Sequence, residues 1–500
     1  MTTPTPASEL VADNGISERF ASEHSEISGS LLEQMRGTGS EVSTSLEERA
    51  ASSRDWWPLS IGWAVQGRVG ALAGVVVRPH STEELAAVLS IANAARVPVT
   101  PAAGRSGVCG GSVPLGGGVS LDLTGLDAPI EVDETSLTVR VAAGVFGPDL
   151  EAQLGQVGPG YTLGHWPQSM DLSTVGGWLA CRGAGQYSTR YGKIEDMVRG
   201  VTVVLADGQV VSTEATGPRA ATGPNLTQLF VGSEGTLGVI TEATLAIHPL
   251  PAAEQRGAWG FDSFAEGLDA CRRILRRGAT PAVLRLYDVT ESQRNFQVDS
   301  NVLIVLDEAD PALVEATMSI VQEEIGDAAV LDVGLVETWL SHRNDVSALR
   351  PLWEAKVVVD TIEMSGPWAT LNPIFEQVIA ALKGIDGTLV ASCHQSHAYS
   401  DGACLYFTFA GRVSERSDES YGDLEAEEAY YRSCWDVATE VIRAHGAAIS
   451  HHHGIGLNRG RFMPAALGSA FPLLESIKAT LDPQGILNPG KLGLSGGGPW

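Results

Sequence analysis

Basic residues are scarce in this 500-residue chain. Its 33 Lys and Arg stand against 60 Asp and Glu, a formal net charge of -27. That deficit argues against nucleic acid, whose phosphates attract basic surfaces, and against docking on an anionic membrane. It leaves an anionic small substrate open, because a few buried arginines outweigh a distant acidic surface. Cysteine is sparse as well. The six, Cys109, Cys181, Cys271, Cys393, Cys404 and Cys434, show no C-x-x-C spacing and read as reduced, mostly buried thiols. No apolar run reaches membrane-spanning length. The N-terminus lacks a basic region followed by an apolar core, so a cytoplasmic location is expected.

What is present describes an ordinary soluble chain, with 44% hydrophobic and 19% charged residues. Its length suggests two or three domains and a large core. Residues 1–54 are rich in Ser, Thr, Glu and Ala with little apolar pattern, which predicts a flexible start with at most one short helix. Order is expected from Asp55-Trp56-Trp57-Pro58, where two adjacent indoles call for burial. Val75-Val76-Val77 reads as a strand. Ser81 followed by Glu84 makes a capping box for a helix carrying Leu85, Val88 and Leu89. Val97 to Thr100 then reads as a second strand, completing a β-α-β unit.

A glycine-rich loop, P-A-A-G-R-S-G-V-C-G-G, follows from Pro101 to Gly111. Small residues let backbone N–H groups approach a bound anion. The spacing matches neither G-x-G-x-x-G nor G-x-x-x-x-G-K-[ST], and a tight loop without a ligand explains it equally well in isolation. Strand-like runs follow from Val119 and Leu137, with a hairpin around Asp207-Gly208. Two more small-residue segments interrupt them, Ser169 to Trp178 and Gly232 to Thr241. Three such loops in this order are strong evidence where one is weak.

Near the C-terminus, His451, His452 and His453 form S-H-H-H-G-I-G. Imidazoles relay protons at physiological pH and also ligate metals. If the run is extended, His451 and His453 share one face and His452 takes the other. Proton handling, metal binding and a purely structural run all remain open from the triplet alone.

Taken together, the segments resemble the flavoprotein family typified by vanillyl-alcohol oxidase and FAD-linked D-lactate dehydrogenases. Within it they look most like the alkyldihydroxyacetonephosphate synthase (alkylglycerone-phosphate synthase) branch. The resemblance spans about Val75 to Lys491. It rests on G-Y-T-L-G-H-W-P-Q-S-M-D-L-S-T-V-G-G-W, Y-G-K-I-E-D, G-S-E-G-T-L-G-V-I-T-E-A-T, S-G-P-W, D-G-A-C-L-Y-F-T-F and S-H-H-H-G-I-G. The family shares G-S-E-G-T-L-G and the D-P-Q-G-I-L-N-P-G-K tail, whereas H-H-H-G and D-G-A-C-L-Y-F point to the synthase branch.

The resemblance implies an α+β fold, with a PCMH-type FAD-binding domain of two α+β subdomains over 55–250. A substrate (cap) domain with an antiparallel sheet and flanking helices is implied over 251–442, and a segment completing the site over 443–500. Pro101, Ala102, Ala103, Gly104, Arg105, Ser106 and Gly107 match the loop that holds the FAD pyrophosphate. Gln168, Ser169, Met170, Asp171, Leu172, Ser173 and Thr174, with Cys181, Arg182, Gly183 and Ala184, match segments along the flavin and ribityl chain. Glu234, Gly235, Thr236, Leu237, Gly238, Val239 and Ile240 match the other side of the cofactor. The family's loop is usually richer in glycine; Ala103 and Arg105 stand here, and Arg105 would add a charge toward the pyrophosphate. The loop holds no histidine to tether the flavin, so FAD is expected to be non-covalent.

Arg285, in A-V-L-R-L-Y-D, and Arg350, in S-A-L-R-P-L-W, match substrate-site arginines suited to phosphate or carboxylate; Arg350 aligns only with a one-residue gap. An arginine of the family is replaced where Cys393-His394 stands. Tyr406 matches the branch's essential tyrosine, and the triplet gains a proton-handling role beside it, with metal binding receding because flavin carries the chemistry. Arg459 is a further anion-contact candidate. The implied reaction exchanges the acyl group of acyl-dihydroxyacetone phosphate for a long-chain alcohol through a flavin N5 adduct, forming an ether-lipid precursor. The alternative is FAD-linked oxidation of a 2-hydroxy acid or alcohol, which the intact N-P-G-K tail supports. The resemblance further implies a lipid-like or small anionic substrate and a homodimer. Lipid substrates bring peripheral membrane contact into view, although no basic amphipathic anchor stands out. The terminal G-G-G-P-W carries no peroxisomal address.

Overall fold

A computed structural model describes residues 16–20, 24–214, 217–346, 349–413, 424–494 and 500. The segment expected to be flexible is ordered over residues 24–54, with residues 1–15 outside the described part. It forms helix α1 (Gly29–Arg36), strand β1 (Glu41–Ser43) and helix α2 (Leu46–Ser52). Ser28 and Ser45 cap the two helices by accepting from Leu31 N–H and Glu48 N–H, as serine does at N-caps. Leu31 and Met35, four residues apart on one helical face, are buried with Val75 and Leu85. Ile27, Leu32 and Val42 pack beside them, so a few well-placed apolar side chains order a segment whose average composition looks unpromising.

Helix α3 (Pro58–Val65) follows, then β2 (Val75–Arg78), α4 (Thr82–Ala95), β3 (Val99–Ala102) and β4 (Val119–Asp122). The sheet order is β1-β2-β4-β3, with β2 and β3 each parallel to β4. The β-α-β unit is therefore present, but β4 lies between its two strands. Half of the expected capping box forms. Ser81 Oγ accepts from Glu84 N–H at 3.2 Å, while the Glu84 carboxylate accepts from His80 N–H instead.

The second subdomain sheet contains β5 (Glu131–Asp133), β6 (Thr138–Ala142), β7 (Val198–Val204), β8 (Val210–Ser212) and β9 (Val239–Ala246), in the order β8-β7-β9-β6-β5. The β7–β8 hairpin turns at Asp207-Gly208, where Gly208 has φ +89°. Helix α5 (Val175–Cys181) packs on this sheet with Val175 and Leu179 buried.

The cap sheet contains β10 (Ala253–Phe261), β11 (Val283–Tyr287), β12 (Asn301–Ala309), β13 (Ala329–Val330), β14 (Val358–Pro367), β15 (Thr388–Ala398) and β16 (Gly402–Gly411). Its order is β13-β10-β12-β11-β15-β16-β14, antiparallel throughout. Alternation gives it two unlike faces. Leu284, Leu286, Ile362, Leu405, Phe407 and Phe409 point into the main core. That core is closed by helices α6 (Phe264–Arg276), α8 (Trp368–Lys383) and α9 (Leu424–Ala444), with α7 (Leu349–Glu354) against α3. The opposite face carries Arg285, Tyr287, His394, Tyr406 and Glu363.

The C-terminal segment ties the units together. Ala448 bridges to Ser365 in the cap, and Leu487 bridges to Val99 in the first sheet. Among the described residues, no helix is long and apolar enough to cross a membrane.

Candidate active site

A cavity of about 380 Å³ opens between the two N-terminal sheets and the polar face of the cap sheet. All seven residues from Pro101 to Gly107 line it, as do Gln168, Ser169, Leu172, Ser173 and Thr174. Cys181, Gly183 and Ala184 continue the wall, and Glu234, Gly235, Gly238, Val239 and Ile240 form its other side. Tyr406, His452 and His453 close the end beneath the cap.

Five of the expected cofactor residues do not line the cavity, for identifiable reasons. Met170 and Leu237 are buried in the second subdomain's core. Asp171 is exposed. Arg182 takes the left-handed conformation that ends α5, and its half-exposed guanidinium lies 3.4 Å from Glu195. Thr236 is buried and donates to Ser233 C=O at 2.7 Å.

The cavity walls fit a polar ligand with an anionic linker. Among the described residues, no acceptor takes the amide N–H of Gly104, Arg105, Ser106 or Gly107, so this loop presents a row of donors. Arg105 is buried at φ +52°, its Nη1 paired with Asp122 at 3.9 Å, and neither Nε nor Nη1 has a hydrogen-bond partner. His165 on the cavity wall is fully buried with both ring nitrogens unpartnered, and burial holds its pKa down to about 3. The Oδ2 atom of Asp55, another wall residue that the sequence did not single out, is also unpartnered. Buried polar atoms left this way are costly unless a ligand or water satisfies them. A flavin dinucleotide would supply such partners, its phosphates to the loop and Arg105 and its other polar groups to the wall side chains.

Backbone approach sets the loop's composition. A Cβ on Gly104 would lie 2.1 Å from Leu172 C=O. Gly104→Ala therefore pushes the phosphate loop and the 168–174 segment apart. Protein purified with this substitution should carry less than a tenth of the wild-type flavin, read from absorbance at flavin and protein wavelengths.

Cross-strand register builds the reactive end. Tyr406 on β16 lies opposite Glu363 on β14 and His394 on β15, and His394 lies opposite Tyr287 on β11. Thr361 Oγ1 donates to the Tyr406 oxygen at 3.1 Å, which leaves the phenol proton to His453 Nε2 at 3.3 Å. His453 Nδ1 faces Glu363 at 3.8 Å, beyond hydrogen-bond distance. Glu363 thus holds His453 through its backbone N–H and supplies nearby charge, while the ring's other nitrogen meets the phenol. On the other side, the His394 ring stacks on Tyr406 at 4.7 Å between centroids. Arg285 Nη2 donates to His394 Nε2 at 2.6 Å, so Nδ1–H of His394 donates to Glu291 at 2.8 Å. Arg285 consequently reaches the site through His394 rather than on the cavity wall.

Two buried carboxylates hold the histidine loop. Glu363 accepts from Ser450 Oγ at 2.8 Å, from His453 N–H at 3.0 Å, and from the N–H of His451. It also accepts from Arg459 Nη1 at 2.8 Å. Glu234 accepts from Ile455 N–H and Gly456 N–H. Pinned at both ends, residues 451–453 bend instead of extending, and the expected alternation of faces does not occur. Neighbouring rings touch each other: His451 and His452 at 5.2 Å, His452 and His453 at 4.4 Å.

Burial alone would raise the Glu363 carboxyl, but the Arg459 guanidinium and the imidazoles outweigh it and hold its pKa well below the ordinary range. The imidazoles behave oppositely. Burial, only partly offset by Glu363, lowers His451 and His453 to about 4 and lowers His452 as well. All three are neutral at physiological pH, each with one donor and one acceptor nitrogen. Burial and then Glu363 dominate Arg459 too. It is 1% exposed, and its Nη1 bonds Glu363 and Ile449 C=O, so the expected anion contact is instead an internal counter-ion. Arg350 does not join the site. It lies on α7 with Nε 2.8 Å from Glu354, and its neighbour Leu349 lines the cavity. Its S-A-L-R-P-L-W context is only partly visible, since residues 347–348 lie outside the described part.

Fold and cavity define a flavin-dinucleotide enzyme. Residues 73–214 match an FAD binding domain, and residues 250–492 match the C-terminal domain of FAD linked oxidases. The chain belongs to this FAD-linked oxidase family, with a PCMH-type FAD-binding domain and FAD as its cofactor. It is 30% identical over 467 residues to alkyldihydroxyacetonephosphate synthase of Dictyostelium discoideum, covering 85% of this chain and 74% of that protein. It is 32% identical over 439 residues to YgcU, an uncharacterized FAD-linked oxidoreductase of Escherichia coli K12, covering 84% and 89%. A D-lactate dehydrogenase of Anaerostipes hadrus is 27% identical over 84% of this chain and 89% of its own length. Among solved structures, an alkyldihydroxyacetonephosphate synthase superposes with TM-score 0.75 at 24% identity, covering 98% of this chain and 89% of that one. A p-cresol methylhydroxylase with substrate bound gives TM-score 0.72 at 15% identity, covering 93% and 96%.

Proposed function

We propose that the protein is an FAD-dependent alkyl transferase of the alkylglycerone-phosphate synthase type. It would exchange the acyl group of acyl-dihydroxyacetone phosphate for a long-chain alcohol. The observation that supports this reading best is the Glu363–His453–Tyr406 cluster at the cavity end, flanked by His394 and Arg285. Acyl-for-alkyl exchange takes protons from the substrate carbon and the alcohol and returns one to that carbon and one to the departing acid, without net oxidation, so it needs groups that both accept and return protons. Neutral imidazoles hydrogen-bonded to a phenol do both. Bound FAD supplies the electrophilic and redox capacity of its ring system. In the chain itself, Glu363 holds the backbone of His453 and Tyr406 presents its hydroxyl to the cavity. The Dictyostelium relative's name supports the same assignment.

A second reading is FAD-linked oxidation of a 2-hydroxy acid or alcohol. It is favoured by the comparable identity to YgcU and to the D-lactate dehydrogenase. One anaerobic experiment separates them. Holoprotein is mixed with 2-hydroxy acids and, separately, with palmitoyl-dihydroxyacetone phosphate plus labelled hexadecanol. The synthase reading expects labelled ether product and no bleaching of the flavin by the hydroxy acids. Rapid bleaching by a hydroxy acid, without ether product, would sink it.

A further inference from the structure

The buried triplet has a continuation that leads away from the cavity. His452 lines the cavity, and its Nδ1 lies 3.0 Å from Nδ1 of His451. The other ring nitrogen of His451, Nε2, lies 3.0 Å from the Tyr399 hydroxyl. That hydroxyl is 3.2 Å from Ser188 Oγ, which is 2.9 Å from His397 Nδ1. Tyr399 is partly exposed, and Lys193, with 27% of its side chain exposed, sits over its ring at 4.6 Å. Every link in this file pairs groups that accept at one atom and donate at another.

We propose that His452, His451 and Tyr399 form a proton relay from the flavin cavity to the protein surface, with Ser188 and His397 fixing its outer end. The inference goes beyond the synthase reading and requires only that the site consume or release protons, which both reactions above do. In the delivering direction, a proton leaves His452 for the cavity from its second ring nitrogen. His451 Nδ1–H passes its proton to His452 Nδ1, the Tyr399 O–H proton passes to His451 Nε2, and the Tyr399 oxygen is reprotonated from solvent at the rim beside Lys193. One proton enters the cavity, one leaves solvent, and each imidazole ends neutral. The low proton affinity imposed by burial suits such transfer, because no imidazole traps the charge. His397, His451 and His452 also bring nitrogen atoms within 4.8 Å of one another, a geometry open to a metal ion. The hydrogen bonds to Tyr399 and Ser188 use His451 Nε2 and His397 Nδ1, so a metal would take the other ring nitrogens, and bound metal is the competing outcome of the test.

Tyr399 is a positioning and conducting residue that does not line the cavity, so the test must separate conduction from structure. Holoenzyme carrying Tyr399→Phe keeps the ring under Lys193 and loses only the hydroxyl. In low buffer, with whichever substrate the anaerobic experiment shows to turn over, kcat should fall at least tenfold with KM unchanged. The solvent deuterium isotope effect should rise, and added imidazole buffer should restore the rate. Ser188→Ala should reproduce a milder form of this behaviour. Independently of any turnover, ¹⁵N NMR of histidine-labelled protein should show His451 Nε2 shifting toward an unbonded acceptor in Tyr399→Phe. A His451 signal unmoved by the substitution would overturn the relay even if no substrate is found. So would a rate loss that buffer does not rescue, or a stoichiometric transition metal bound to these imidazoles in purified protein. Absence of ether product with the relay signature intact would instead remove the synthase reading alone.

Discussion

Glu363→Gln should be the most destabilising single substitution at this site. The carboxylate is fully buried and answers Arg459, which is itself 1% exposed. The amide keeps the shape but removes the charge, leaving a guanidinium in the core without a counter-ion and turning two donors toward existing donors. Breaking a buried pair from one side costs about 3–5 kcal/mol. The loss should appear as a lowered melting temperature together with exposure of the His451–His453 loop to hydrogen exchange. pH supplies an internal control. Because the folded-state pKa of Glu363 is depressed, its contribution is complete above its unfolded value near 4.5 and is lost as pH falls toward the folded one. The gap between wild type and variant should therefore be full at pH 6 and narrow below about 4.5. An equal melting temperature at pH 6 would show that Arg459 finds compensation elsewhere.

Tyr406→Phe should have the largest effect on turnover. On the cavity wall, the phenol joins His453, Thr361 and the stacked ring of His394. Burial, opposed only in part by Thr361, raises its pKa, so it works as a proton donor and not as a standing phenolate. Removing a positioned acid or base costs about 10²–10⁴-fold in rate. The loss should fall on kcat, because the ring and its stacking survive. Flavin content and melting temperature should stay near wild type, which separates this variant from Glu363→Gln and Gly104→Ala. Retention of half the wild-type kcat would remove Tyr406 from proton transfer. The two substitutions thus probe different layers: Tyr406 the hydroxyl proposed to react, Glu363 the frame that holds the histidine loop beside it.

Local signals made much of the cofactor site legible. The 101–107 loop, most of the 168–174 and 234–240 segments, Tyr406, His452 and His453 each carry their information within a few residues, and the structure gathers them around one cavity. Errors arose where local pattern and long-range packing compete. Residues 24–54 look unstructured by composition yet hold a sheet edge and two capped helices. Arg350 sits in a plausible motif, but its helix turns it to Glu354, whereas Arg285 is carried to the site by a strand whose neighbours supply His394. Arg459 resembles a free cation in sequence and proves to be the counter-ion of a residue 96 positions away.

By itself, then, the sequence determined the kind of cofactor loop, the run of three imidazoles and the strand that bears Tyr406, because small-residue spacing and alternation are short-range properties. Tertiary structure alone decided the partners. Glu363 and His394 meet Tyr406 only through antiparallel register, which places residues from different strands side by side on one face, and Glu291 reaches His394 from the helix Val289–Phe296. Tyr399 becomes relevant only because two buried carboxylates bend the triplet toward it. A one-residue slip in any of these pairings would send the same side chains to the opposite face of the sheet.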